Sequence, residues 1–338
     1  MIEITLDNLR EAQAGLAGVA ERTPLIPLEQ ARSMSREVRL KAEHLQPIGA
    51  FKIRGAWTAL RRLPADARRH GVVTSSSGNH GLGIAFAANR LGIRAVVVMP
   101  ESAAAVKVDG VRQLGAEVVL TGKTRGPEQT IAAQEFVDRE GLTMIPPFDH
   151  PDVIAGQGTC GLEILEQWPE VRTIMVPVGG GGLLAGICSA VRATGADVRV
   201  IAVEPARIPK LSAAFAADRP TTLAAGSSLA DGLLTKSVGN VTWPLIRDTL
   251  DSVVSVTDDQ IRAAMRWLGA HHLRVEPSGA VTTAALLALD SSCRDSLEQT
   301  GEQARHVERA RSASREATAL VCTGGNVDAA RYAELTAR

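Results

Sequence analysis

The sequence predicts an α/β fold with open, mostly parallel sheets and helices on both faces. Three observations predict it. Short apolar runs alternate with amphipathic stretches along the chain after Gly71. The runs are rich in Val and Ile, as suits strands buried on both faces. Four runs end in small, polar or glycine-rich clusters, and sites in such folds lie beyond the carboxyl ends of strands.

Taken in order, "GVVTSS" reads as a strand and is followed by a helix from His80 to Leu91. "AVVVMP" is a strand, then a helix covers Val106 to Leu114. "AEVVLT" is a strand, then a helix covers Pro127 to Arg139. "TIMVPV" leads into a helix from Leu183, and "VRVIAVEP" follows as a strand. "SVVSVT" and "ATALVCTGG" read as the last strands. The four strand ends of interest are "SSSGNHG", "GGGGLLAG", "PAR" and "GGN". The charged run from Asp290 to Glu316 reads as a solvated helix or mobile insertion.

Upstream, "PIGAFKIRGA" (residues 47–56) places a lysine oddly. On a helix from Gly49 to Leu63 at about 100° per residue, Ile53, Ala56, Trp57, Ala59, Leu60 and Leu63 share one arc. Lys52 falls on that arc, while Arg54, Thr58, Arg61 and Arg62 share the opposite one and are expected to face water. A buried ammonium is costly unless paired or neutralised, and a neutral amine can form a Schiff base. A lysine that snorkels from a helix start is the plainer alternative.

The bulk composition narrows the function. The 338 residues carry 37 basic and 37 acidic side chains, so nothing points to nucleic acid or a membrane surface as partner. The N-terminus "MIEITLDNLREAQ" is not a signal peptide, and no apolar run approaches a membrane span of about 20 residues. Cys160, Cys188, Cys293 and Cys322 make no zinc spacing and read as inert thiols in a reducing cytoplasm.

Gly179 to Gly182 follow a strand and open a helix, a phosphate cradle built of backbone N–H groups and the helix dipole. No G-K-[ST] follows, which excludes a nucleotide-hydrolysing P-loop. Gly180, Gly182 and Ala185 fit G-x-G-x-x-A, and Glu204 ends the next strand, so a dinucleotide site is one reading. Pyridoxal phosphate is the other, and it alone gives Lys52, "SSSGNHG" and "TGGN" a shared purpose.

"GAFKIRGA", "SSGNHG", "VPVGGGGLLAGI", "EPSGA" and "TGGNVD" occur in the order expected of the fold type II pyridoxal-phosphate enzymes. The chain resembles their serine/threonine dehydratase and serine racemase branch from roughly Thr23 to Asp328. The resemblance implies two sheet domains, a large one from 1–70 and 150–338 and a small one from 71–149. It implies that Lys52 carries the cofactor as a Schiff base and moves the α-proton, with Phe51 along one ring face. Asn79 would bond the cofactor's phenolic oxygen, Gly179, Gly180, Gly181 and Gly182 its phosphate, and Thr323 its pyridine nitrogen. Thr323 stands where the family usually has serine. Glu276 would lie near the ring or support the site, and Ser76, Ser77, Asn79 and His80 would hold the substrate carboxylate.

Ser77 also bears on the reaction. In racemase-like members this serine exchanges a proton on the face opposite the lysine, and many dehydrating relatives have alanine there. The expected activity is dehydration of L-threonine and L-serine. A racemase using Lys52 and Ser77, a dehydratase of another β-hydroxy amino acid such as hydroxyaspartate, and a non-catalytic sensor are the alternatives. Racemase-like members also bind a divalent cation through the glutamate at Glu204 and an acid six residues later; Lys210 stands there, so no metal site is expected. A cytoplasmic homodimer without a regulatory extension is expected from the same resemblance.

Overall fold

The computed structural model describes residues 2–28, 37–124, 126–290, 302–313 and 316–337. Ten strands are described: β1 Leu25–Pro27, β2 Val38–Ala42, β3 Val72–Ser75, β4 Ala95–Met99, β5 Glu117–Leu120, β6 Thr143–Met144, β7 Thr173–Pro177, β8 Arg199–Pro205, β9 Leu250–Val256 and β10 Thr318–Cys322. They form a six-stranded sheet in the order β1-β2-β10-β7-β8-β9 and a four-stranded sheet in the order β5-β4-β3-β6. The β1–β2 pair is antiparallel, and the other sheet pairings are parallel.

Alternation within the strands places a core on each side of the large sheet. Ile174, Val176, Ala202, Ala319 and Val321 pack on one face with the helices Pro151–Gln167 and Gly182–Thr194. Met175, Ile201, Val203, Leu320 and Cys322 pack on the other with the helices Asp258–Ala270 and Pro277–Asp290. The small sheet is covered in the same way, with Val97 and Met99 facing one cluster and Val96 and Val98 the other. Burial of a central strand on both faces is what makes these runs continuously apolar.

The predicted strands after Gly71 all form. β1, β2 and β6 are additional. β1 and β6 are too short to show a period, and β2 reads "VRLKA", whose two cations break the apolar run. The charged run 290–316 is corrected in part. Its helix Glu302–Ala313 buries Val307 and Ala310, so one face is not solvated; residues 291–301 and 314–315 lie outside the described residues. Cys160, Cys188 and Cys322 are buried, and burial pushes their thiols up, that of Cys188 to about 12. Cys293 lies outside the described residues.

The helix carrying Lys52 spans Lys52–Arg61, and here the water-facing arc is wrong for Arg54 and Thr58. Arg54 is 1% exposed. Its Nε lies 2.7 Å from Glu43 Oε2 and its Nη1 2.7 Å from Glu163 Oε1. Lys41 joins the cluster through a 2.6 Å bond to Glu163. The partners of Arg54 lie 11 and 109 residues away, beyond the reach of a helical wheel. Among the described residues, no helix is long and apolar enough to cross a membrane.

Candidate active site

Three strand ends and one helix start converge on a cleft of roughly 850 Å3, its mouth included. β3 delivers Ser76, Ser77, Gly78, Asn79 and His80; β7 delivers Gly179 to Gly182; β10 delivers Thr323; and Phe51 and Lys52 come from the helix start. The fourth expected strand end does not contribute. Near the end of β8, Glu204 is fully buried, and its oxygens accept from the Leu211 and Ser212 N–H groups at 2.8 and 3.0 Å. That carboxylate fastens the helix Lys210–Ala217 and is not available to a ribose. Lys210 is buried near it, and burial draws its pKa down to about 8 against the pull of Glu204. Among the described residues, no three His, Cys, Asp or Glu side chains cluster as metal ligands.

The glycine loop is shaped by its neighbours. Gly181 has φ +98°, a conformation L side chains rarely adopt, and a Cβ on Gly180 would stand 2.4 Å from the Phe148 ring. The Gly180 carbonyl accepts from Thr242 Oγ1 at 2.9 Å and from the Gly239 N–H at 3.0 Å. Asp149 in turn receives the Asn240, Val241 and Thr242 N–H groups. With the carbonyl held away, the N–H groups of Gly179, Gly180, Gly181 and Gly182 donate to no described group, so a ring of unused donors borders the cleft at the start of the helix Gly182–Thr194.

Lys52 lines the cleft half-buried. Its Nζ is 2.7 Å from Pro147 O and 5.1 Å from the centroid of the Phe51 ring. Asn79 is fixed on both sides: its Nδ2 donates to Glu276 Oε1 at 2.7 Å, and its Oδ1 accepts from Asn326 Nδ2 at 2.8 Å. Glu276 is 3% exposed. Burial pushes its carboxyl up to about 7, helped by Asp231 and opposed by Lys107 and the Asn79 bond. Thr323 Oγ1 is 3.2 Å from Ser278 O.

The β3 loop holds itself open. Ser76 Oγ accepts from the Gly78 and Gly81 N–H groups at 3.3 and 3.1 Å, an internal cap. His80 is 2% exposed, its Nε2 lies 3.1 Å from Ile145 O, and its Nδ1 has no partner among the described residues. Burial, with the nearby Lys52 charge, lowers its pKa to about 3, so the ring is neutral. Its Nε2–H then donates to Ile145 O, and what His80 offers an anion is its backbone N–H. The N–H groups of Ser77, Asn79 and His80 donate to no described group.

A family model described as pyridoxal-phosphate dependent enzyme matches residues 16–299. The chain belongs to this family. A relative in Geobacter sulfurreducens named L-threonine ammonia-lyase is 42% identical over 289 residues, covering 85% of this chain and 71% of its own. The catabolic L-threonine dehydratase TdcB of Escherichia coli is 36% identical over 338 residues, covering 99% and 97%. The structure of maize serine racemase aligns with a TM-score of 0.88 at 34% identity, covering 98% of this chain and 96% of that one.

The site of this pyridoxal-phosphate enzyme suits its cofactor. Unused N–H donors face where a phosphate would lie, an aromatic ring flanks an amine that can meet an aldehyde, and a neutral hydroxyl lies at the opposite strand end. The dinucleotide reading is set aside, because its acid, Glu204, is sealed off. Every residue the sequence assigned to the site borders the same cleft. Sequence reasoning missed Lys107, Phe148 and Ser278, which also border the cleft, as do Asp231 and Thr235 of the loop from Ala230 to Gly239. Lys107 carried a readable signal: it lies on the buried face of the helix Ala105–Gln113, while Val106 is 55% exposed.

Proposed function

We propose that the chain is an ammonia-lyase that converts L-threonine and L-serine to a 2-oxo acid and ammonia. The observation that supports it is the meeting, in one cleft, of the Lys52 amine with two separate sets of unused backbone donors, at Gly179–Gly182 and at Ser77, Asn79 and His80. One set suits a phosphate and the other a carboxylate. The relatives named above as threonine ammonia-lyase and dehydratase support the choice of substrate.

Bound in the cleft, pyridoxal phosphate supplies an aldehyde for the substrate amine and a ring that draws electrons from its α-carbon. Gly179, Gly180, Gly181 and Gly182 would hold its phosphate through their N–H groups, and Phe51 would flank its ring. Glu276 and Asn326 fix the Asn79 amide, whose Nδ2 donates one proton to Glu276 and would have the other for the phenolic oxygen. The Thr323 hydroxyl, which donates to Ser278 O, would serve as a neutral partner for the pyridine nitrogen. A neutral partner there would suit elimination over long-lived carbanions. Ser77, Asn79 and His80 orient the substrate carboxylate through their N–H groups, with Ser76 bracing the loop. Lys52 Nζ takes the α-proton and passes it on to the departing β-hydroxyl, which leaves as water. The released enamine tautomerises to an imine, and water then hydrolyses it to the 2-oxo acid and ammonia.

A second reading, an amino-acid racemase, is supported by Ser77, which borders the same cleft as Lys52 and can exchange a proton on the other face of the α-carbon. The same proposal takes residues 71–149 as a small domain that carries the substrate-carboxylate loop, residues 1–70 and 150–338 as the large cofactor-binding domain, and the enzyme as a cytoplasmic homodimer, its assembly to be checked by sedimentation. The deciding assay follows 2-oxo acid and D-amino acid together, from L-threonine and L-serine on cofactor-loaded protein. Oxo acid in excess supports the lyase. D-serine in excess would replace it with the racemase.

A further inference from the structure

Lys107 is 8% exposed, on a helix that exposes Val106 instead. Burying an ammonium and exposing a valine inverts the usual preference, and holding that charge needs a compensating interaction. Its Nζ lies 2.8 Å from Asp231 Oδ2. Asp231 opens the turn Asp231–Leu233 between β8 and β9, whereas Lys107 lies between β4 and β5, so the ion pair bridges the two sheet units beside the cleft. Nζ also stands 3.6 Å from where a Cβ on Gly78 would be, at the centre of the loop that carries the Ser77, Asn79 and His80 N–H groups, which donate to no described group.

Four ionisable side chains besides His80 border the cleft: Lys52, Lys107, Asp231 and Glu276. His80 is neutral, and Lys52 is committed to the cofactor. Lys107 is then the one permanent cation among these, and it sits on the loop that faces the substrate's carboxylate. We infer that Lys107 is a binding residue for the α-carboxylate of the amino acid, with Asp231 as the counter-charge that parks its ammonium until the carboxylate arrives. This rests on the amino-acid reading of the cleft given above. The Asp231 side chain is 57% exposed, so water takes up its charge when the ammonium turns to the substrate. Charge-assisted bonds of this kind outweigh neutral ones, and N–H groups with a nearby ammonium hold a carboxylate better than N–H groups alone.

The test uses cofactor-loaded protein and two amines that cannot undergo elimination by the proposed route: glycine, which has a carboxylate, and methylamine, which has none. Binding of each is read from the change in cofactor absorbance. Lys107→Met is expected to weaken glycine on the order of tenfold and leave methylamine unchanged. Lys107→Arg should recover most of the glycine affinity. Asp231→Asn should hold or tighten glycine, because one carboxylate that competes for the ammonium is gone. Equal weakening of both amines by Lys107→Met, no weakening of either, or a loss of glycine in Asp231→Asn matching that in Lys107→Met would each overturn the inference and leave the amino-acid reading standing. A wild-type enzyme that binds methylamine but not glycine would overturn that reading, and the inference with it.

Discussion

The protein buries charge in two places, and the two are built differently. Behind the Lys52 helix, Lys41 and Arg54 meet Glu43 and Glu163, two cations with two carboxylates, bound at 2.6–2.8 Å. Burial would raise Glu43, yet the Arg54 charge and hydrogen bonds more than offset it and hold the carboxyl at about 2. In the cleft the balance is not struck. Burial pushes Glu276 up to about 7 and His80 down to about 3, and neither the His80 Nδ1 nor the two sets of N–H groups has a partner among the described residues. A balanced cluster has what it needs from the chain itself and acts as scaffold. An unbalanced one awaits a ligand, and perturbed groups gather at such sites.

The contrast can be broken from either side. The largest effect belongs to the cleft: Lys52→Ala should lower turnover by at least about 10^4-fold with the melting temperature little changed, seen in a coupled oxo-acid assay. Next comes the scaffold. Arg54→Met strips Glu43 of its cation, leaves Glu163 to Lys41 alone, and should cost roughly 3–5 kcal/mol in denaturant unfolding. If that variant lost activity while keeping wild-type stability, the two regions would not be distinct in kind.

A smaller effect of opposite sign is expected at Glu276. Its carboxyl keeps its proton to about pH 7 in the fold and, at its ordinary 4.5, ionises earlier in the unfolded chain. Between those values the fold binds more protons, so its stability falls as pH rises through the window. Glu276→Gln in the cofactor-free protein should therefore be more stable than wild type at pH 8, by about 1–3 kcal/mol, and equal to it near pH 4. Thermal unfolding at the two pH values checks this; a variant less stable than wild type at pH 8 would place Glu276 with the scaffold. The smallest effect concerns the thiols. Cys160, Cys188 and Cys322 should resist a thiol reagent until the protein unfolds, as mass spectrometry would show.

Much of this was legible in the sequence because strands and their ends are local. "TIMVPV" followed by four glycines states a strand, a sharp turn and a helix within a dozen residues. Lys52 was legible because one cation on an apolar arc is visible within a single helix. Arg54 was not, because its burial depends on Glu43 and Glu163, which arrive from other elements. A carboxylate inside an apolar run, as in "CGLEIL", was the only hint. Lys107 repeats the Lys52 signal more weakly, and its partner Asp231 comes from the other sheet unit. The use of His80 also escaped, since Ile145 O reaches it from the end of β6.

The central claim is that Lys52 is the cofactor's lysine. Borohydride reduction of the cofactor-loaded protein makes that bond permanent, and peptide mass mapping then locates it. The account predicts the added mass on the peptide containing Lys52 and its loss in Lys52→Ala. Added mass on the peptide of Lys41, Lys107 or Lys210, or on none, would contradict it.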